Sequence, residues 1–124
     1  MAVIERFNID DVMARMDKGE IANLPIGAVE LDRTGGILFY NQAEADITNR
    51  SQPNSFVGKN FFREVAPCTN RPEFKGRFDE IATGAKSLAM FDYTFDYNMR
   101  PTRMSIQMKK STQNDSIWVF VKRL

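Results

Sequence analysis

The chain has 124 residues, enough for one domain of ordinary size with a sizeable core. Hydrophobic residues make up 43%, charged residues 27%, and the net charge is +1. That is a soluble globular balance, and it gives no electrostatic reason to expect nucleic acid or an anionic membrane as partner.

One cysteine and no histidine narrow the chemistry further. An internal disulfide, a Cys-His or Ser-His pair, and a zinc site with more than one soft ligand are all excluded. No run reaches the length of a membrane span, and "MAVIERFNIDD" lacks the basic flank and apolar run of a signal peptide. The cytoplasm is the expected location. No repeat, low-complexity tract or separating linker is present, so residues 1–124 are read as a single domain.

The first predicted element is a helix in "NIDDVMARMDKGEI", with Ile9, Val12, Met13 and Met16 at helical spacing and Asn8 as N-cap. It is short and needs a surface to lie on. In "GAVELDRTGGILFYN" two apolar runs flank Arg33-Thr34-Gly35-Gly36, the pattern of a β-hairpin. "NQAEADIT" and "KNFFREVAP" read as short helices, the second ended by Pro67. "NRPEFKGRFDEIATG" predicts a further helix capped by Asn70, with Pro72 in its first turn. Phe74, Phe78, Ile81 and Ala82 form its apolar stripe, and Gly84 stops it.

The period then changes from helical to alternating. Phe91, Tyr93, Phe95 and Tyr97 alternate with Asp92, Thr94, Asp96 and Asn98, the signature of a half-buried strand. A turn at Met99-Arg100-Pro101 leads to "TRMSIQMKK", and the polar turn "STQND" leads to a last strand in "SIWVFVKRL". A hairpin, helices and a three-strand meander join edge to edge into a five-stranded antiparallel sheet. The fold class is α+β, with helices on one face and the N-terminal helix on the other.

Cys68 stands in "EVAPCTNRPEF". Free cysteine is most often a small buried hydrophobe. Here the neighbours are polar and turn-forming, and a helix opening at Asn70 would favour a thiolate. Without a base, such a thiol suits one lasting bond, a thioester or thioether, better than turnover. Tyr40 and Glu44 lie four apart at a strand-to-helix junction, within reach of one side. Each also has an ordinary reading: Glu44 as half of a capping box with Asn41, and Tyr40 as an interior ring. The aromatic strand and Met99 fit either a ligand cavity or plain core.

Taken together, "GAVELD", "ILFYNQAEADIT", "VGKNFFREVAPCT", "PEFKGRF", "MFDYTFDYNMRPT" and "WVFVKRL" resemble the photoactive yellow protein family, blue-light receptors of the PAS fold. The matching stretches run from Gly27 to the C-terminus. The resemblance implies a PAS core over 25–124 with an N-terminal cap over 1–24. It implies a covalently bound p-coumaric acid (4-hydroxycinnamic acid) chromophore, held as a thioester on Cys68. Tyr40 and Glu44 match the family's phenolate-binding pair, Thr48 the threonine supporting that tyrosine, and Arg50 the arginine that shields the pocket. Phe61, Val65, Tyr93, Phe95 and Met99 match lining positions, and Pro67, Thr69 and Tyr97 are counted with them. Departures are a loop one residue longer between Arg50 and Gly58, and Gln107 where histidine is expected.

The implied function is light sensing without enzymatic turnover. Isomerisation from trans to cis would be followed by proton transfer from Glu44 and partial unfolding of the cap. A monomer is expected. Because the chain ends with the fold, a separate signalling partner is expected to receive the output. Two further readings stand beside this one. The first is a light-independent PAS module that binds a ligand or a protein. The second is a thiol acyltransferase, ranked last because no histidine base exists.

Overall fold

In a computed structural model, residues 21, 26–47, 56–97, 100–111 and 115–123 are described. The predicted helix at 8–21 lies outside them, apart from Ile21. Strand β1 (Gly27–Leu31) and strand β2 (Ile37–Tyr40) form the expected hairpin. Asp32 shapes its turn. One carboxylate oxygen accepts from the Thr34 N–H at 2.9 Å, the Thr34 hydroxyl at 2.7 Å and the Gly36 N–H at 2.8 Å. Gly35 takes φ +90, and a Cβ there would stand 2.7 Å from the Phe62 ring. Both the conformation and the close approach require glycine.

Strand β3 (Leu88–Tyr97), strand β4 (Arg100–Lys110) and strand β5 (Ile117–Arg123) make the meander. The sheet order is β2-β1-β5-β4-β3, every neighbouring pair antiparallel. The hairpin and the meander therefore join at β1 and β5, where Val29 faces Val119 and Gly27 faces Val121. Strands β3 and β4 pair further than predicted. Tyr97 pairs with Arg100 and Asp96 with Pro101, so Arg100 and Pro101 are strand residues. Pro101 is tolerated because β4 begins to pair with β5 only at Met104.

Helix α1 (Gln42–Ile47) follows β2. A wide π turn spans Phe61–Val65, closed by the Ala66 N–H donating to the Phe61 carbonyl at 2.7 Å. Asn60 caps it, accepting from the Phe62 and Arg63 N–H groups, while Glu64 accepts from the Asn60 N–H at 2.7 Å. A 3-10 turn over Pro67–Thr69 comes next. The following helix differs at its start from the prediction. A π turn over Pro72–Gly76 leads into helix α2 (Arg77–Ala82), and the N-cap is Arg71, in extended backbone, not Asn70. Asn70 is occupied closing the previous turn, its N–H on the Pro67 carbonyl at 3.1 Å. Pro72 opens the helix as predicted, Phe74, Phe78 and Ile81 are buried, and Gly84 ends it at φ +85.

Strand alternation sorts the side chains into two cores. Val29, Leu31, Tyr40, Phe95, Met104, Ile106, Met108, Val119 and Val121 join the helix residues Phe61, Phe62, Phe74, Phe78 and Ile81 on one face. Ile21, Ile26, Ala28, Trp118 and Phe120, with Phe39 against them, form a smaller cluster on the other. Each buried ring contributes about 1.5–3 kcal/mol, so the helix face dominates stability. Among the described residues no helix is long and apolar enough to cross a membrane.

Candidate functional site

The corner between β1, β2 and α1 is built around Asn41. Its Oδ1 accepts from the Ala28 N–H at 2.9 Å and the Glu44 N–H at 3.0 Å. Its Nδ2 donates to the carbonyls of Ile21 at 3.0 Å and Ile26 at 2.9 Å. Every donor and acceptor of a buried amide is thereby engaged. Asn41 caps α1, as its position predicts. The capping-box reading of Glu44 fails in its second half. The Asn41 N–H, which a returning carboxylate would take, is bonded to the Ala28 carbonyl at 3.1 Å.

The Glu44 side chain turns inward instead and is fully buried. Burial pushes its carboxyl up to about 8, so it is mostly protonated at neutral pH. It lies against Gly27, where a Cβ would stand 2.1 Å from its Oε1. Gly27 shares a strand face with Val29, and Val29 pairs with Tyr40. Tyr40 and Glu44 thus occupy the helix-covered face together. The Tyr40 ring is buried, with the Phe56 centroid 4.8 Å away.

Cys68 is the middle residue of the 67–69 turn, partly buried and packed against the helix-face core. It belongs to that turn and not to the first turn of the helix that opens at Pro72. The Tyr93 hydroxyl donates to the Cys68 carbonyl at 2.5 Å, tying the turn to β3. Burial pushes the Tyr93 phenol up, with Cys68 and Glu73 adding and Arg71 opposing. Tyr93 also touches Phe95 at 5.7 Å and Phe74 at 5.1 Å between centroids. Phe61 reaches Phe74 at 6.2 Å. A continuous aromatic cluster therefore runs inward from the thiol.

One cluster gathers Tyr40, Phe61, Val65 and Phe95, with Cys68 and Tyr93 packed against it. Thr69 is buried, its hydroxyl donating to the Ala66 carbonyl at 2.6 Å. Pro67 is exposed. Tyr97 is a β3 residue whose side chain, like Thr48, Arg50 and Met99, lies outside the described residues. Two positions escaped the sequence reading. Asn41 shows its capping role locally, but its ties to Ile21, Ile26 and Ala28 are remote in sequence. Gly27 looks like an ordinary strand start.

The PAS fold family model matches residues 15–124. The photoactive yellow protein of Rhodothalassium salexigens is 48% identical over 117 residues, 94% of this chain and 93% of that one. The one from Halochromatium salexigens is 47% identical over 124 residues, 98% of each chain. The chain belongs to the photoactive yellow protein family. Among solved structures, the photoactive yellow protein domain of the sensor histidine kinase Ppr from Rhodospirillum centenum superposes at a TM-score of 0.81. It is 40% identical, across 92% of this chain and 99% of that one. The buried Glu44 carboxyl and the partly exposed Cys68 both lie on the helix-covered side of the sheet, where Tyr40 belongs to the core and Cys68 packs against it.

Proposed function

We propose that this chain is a blue-light photoreceptor carrying a p-coumaroyl group as a thioester on Cys68. The observation that carries the reading is the fully buried, proton-retaining carboxyl of Glu44 on the same core face as Tyr40 and the cluster that reaches Cys68. The names of the relatives support the light-sensing role. When bound, the group would supply visible absorption and a double bond that isomerises from trans to cis.

The residues suit that group. A phenolate in an aromatic interior is costly unless donors meet it. Glu44 keeps its proton at neutral pH and so could donate, and Tyr40 brings a phenol hydroxyl to the same face of the sheet. Hydrogen bonds to a charged oxygen contribute about 1.5–3 kcal/mol each. Phe61, Val65 and Phe95 of the helix-face core, with Tyr93 packed against it, are the residues that would surround the group. The family match assigns Thr48 to support Tyr40, Arg50 to screen the group from water, and Pro67, Thr69, Tyr97 and Met99 to its surroundings. The Cys68 sulfur takes the acyl group from an activated coumarate, releasing the activating group and the thiol proton. The reaction is stoichiometric, without turnover.

With the group bound and isomerised, Glu44 would be the residue to give up its proton and would be left as a buried carboxylate. An uncompensated buried charge costs about 3–5 kcal/mol. A domain has only about 5–15 kcal/mol in all. Asn41 holds the start of α1 and the Ile21 and Ile26 carbonyls with one amide. Stress at Glu44 is therefore passed to the N-terminal segment, and cap residues 1–24 yield first. The surface so exposed is the signal that a partner protein reads.

The test is intact mass and a visible spectrum after incubation with activated p-coumarate. The expected result is a mass gain mapped to Cys68, lost in Cys68→Ala, with a blue band that bleaches in light. Glu44→Gln should red-shift that band, because an amide donates a weaker bond than a carboxylic acid. Hydrogen exchange over 1–24 should rise on illumination. A protein inert to activated coumarate would overturn the reading in favour of a light-independent PAS module.

A further inference from the structure

We propose that Gly27 is a positioning residue for Glu44: the side chain it lacks is the space in which the Glu44 carboxyl lies. A Cβ on Gly27 would stand 2.1 Å from Glu44 Oε1, and 3.2 Å from both Cβ and Cδ of the same side chain. Contacts that short do not occur between real atoms, so a methyl and the carboxyl cannot share the place. Gly27 begins β1 in extended backbone, paired with Val121. The strand geometry therefore has no need of glycine. The carboxyl does.

The severe collision, at Oε1, falls on the free end of a side chain and not on backbone, while the 3.2 Å approach to the Glu44 Cβ asks for a shift of only a few tenths of an ångström. An alanine at 27 is accommodated by turning the carboxyl away from β1, with the fold intact. Glu44 then leaves the place two residues along β1 from the partner of Tyr40. Gly27 thus sets where the buried proton is held, without touching the proton itself. This deepens the photoreceptor reading, which makes Glu44 the proton donor, and it is testable in protein that has never met chromophore.

The experiment follows the carboxylic C=O stretch of Glu44 by infrared titration of chromophore-free protein, with Glu44→Gln as the subtraction reference. In Gly27→Ala the band should shift and the midpoint should fall by about one unit or more, as the carboxyl moves to a better hydrated position. Urea unfolding completes the test. The cost of Gly27→Ala should persist in Glu44→Gln, which keeps the side-chain size, and largely disappear in Glu44→Ala, which empties the space. If Gly27→Ala alone does not fold, rescue by Glu44→Ala still decides in favour. An unchanged band and midpoint in folded Gly27→Ala, or an equal cost in all three backgrounds, overturns the assignment. A shifted titration in a chain that takes no chromophore would overturn only the photoreceptor reading.

Discussion

Glu44 on the helix face of the sheet and Glu30 on the opposite face are both removed from solvent, at 0% and 1% exposure. Their settings differ. Glu30 is a strand residue between its cross-strand neighbours Phe39 and Trp118, and the Ser116 hydroxyl donates to its Oε2 at 2.7 Å. Glu44 sits on the six-residue α1, hung from Asn41, and burial drives its proton affinity up. Burial alone therefore does not designate a working acid. What distinguishes Glu44 is its place, against Gly27 on the helix-covered face that also holds Tyr40.

The largest expected effect separates the two faces by their packing. Phe74 is fully buried and meets the rings of Phe61, Phe62, Phe91, Tyr93 and Phe95 at 5.1–6.2 Å. Phe74→Ala should cost near the top of the range of about 3–5 kcal/mol for such truncations. Phe120→Ala, in the smaller cluster where Phe120 stacks on Trp118 at 5.9 Å, should fall near the bottom. Urea unfolding checks both, and equal costs would break the claim that the helix face carries the stability.

The second effect is a pH dependence owned by Glu44. Its carboxyl titrates near 8 when folded against an ordinary value of 4.5. The folded state holds the proton where the unfolded state has lost it. The contribution to stability is complete below 4.5, declines as pH rises towards 8, and is flat above. Chromophore-free wild type should lose several kcal/mol across that window relative to Glu44→Gln. Parallel pH profiles for the two proteins would remove Glu44 from the list of buried acids with a retained proton.

The alternating strands were legible in the sequence because period two leaves no choice of face: Phe91, Tyr93 and Phe95 pack inward, while Asp92 and Thr94 are exposed. The Phe74, Phe78 and Ile81 stripe was legible for the same kind of reason. The π turns at 61–65 and 72–76 were not, since a five-residue turn presents nearly the same apolar spacing as an α turn. The meeting of β1 with β5 was open, because local pattern carries no information on which strand edges join. At the site, residue types and neighbours nominated Tyr40, Glu44 and Cys68. Gly27 and the remote bonds of Asn41 were hidden, because what they do is defined by atoms many residues away.

Asn41 offers the third test. Asn41→Ala should cost about 1–3 kcal/mol, since it strands the N–H groups of Ala28 and Glu44 and the carbonyls of Ile21 and Ile26. Asn41→Asp keeps the accepting oxygens but loses the donors. It should preserve α1 while weakening the hold on the N-terminal segment. Hydrogen exchange at Ile21 and in 42–47 separates these outcomes.

The smallest effect returns to Glu30. Ser116→Ala removes the hydroxyl that donates to Glu30 Oε2 and should cost about 1 kcal/mol. Its value lies in what it should leave alone. Glu30 and Gly27 are both β1 residues but point to opposite faces, because side chains alternate along a strand. A disturbance at Glu30 can reach Glu44 only by moving the β1 backbone, and β1 is pinned on both sides by β2 and β5. The Glu44 infrared band and midpoint should therefore be unchanged in Ser116→Ala. A shift comparable to that of Gly27→Ala would mean that β1 moves as a lever between its faces, and that the two buried acids act as one system.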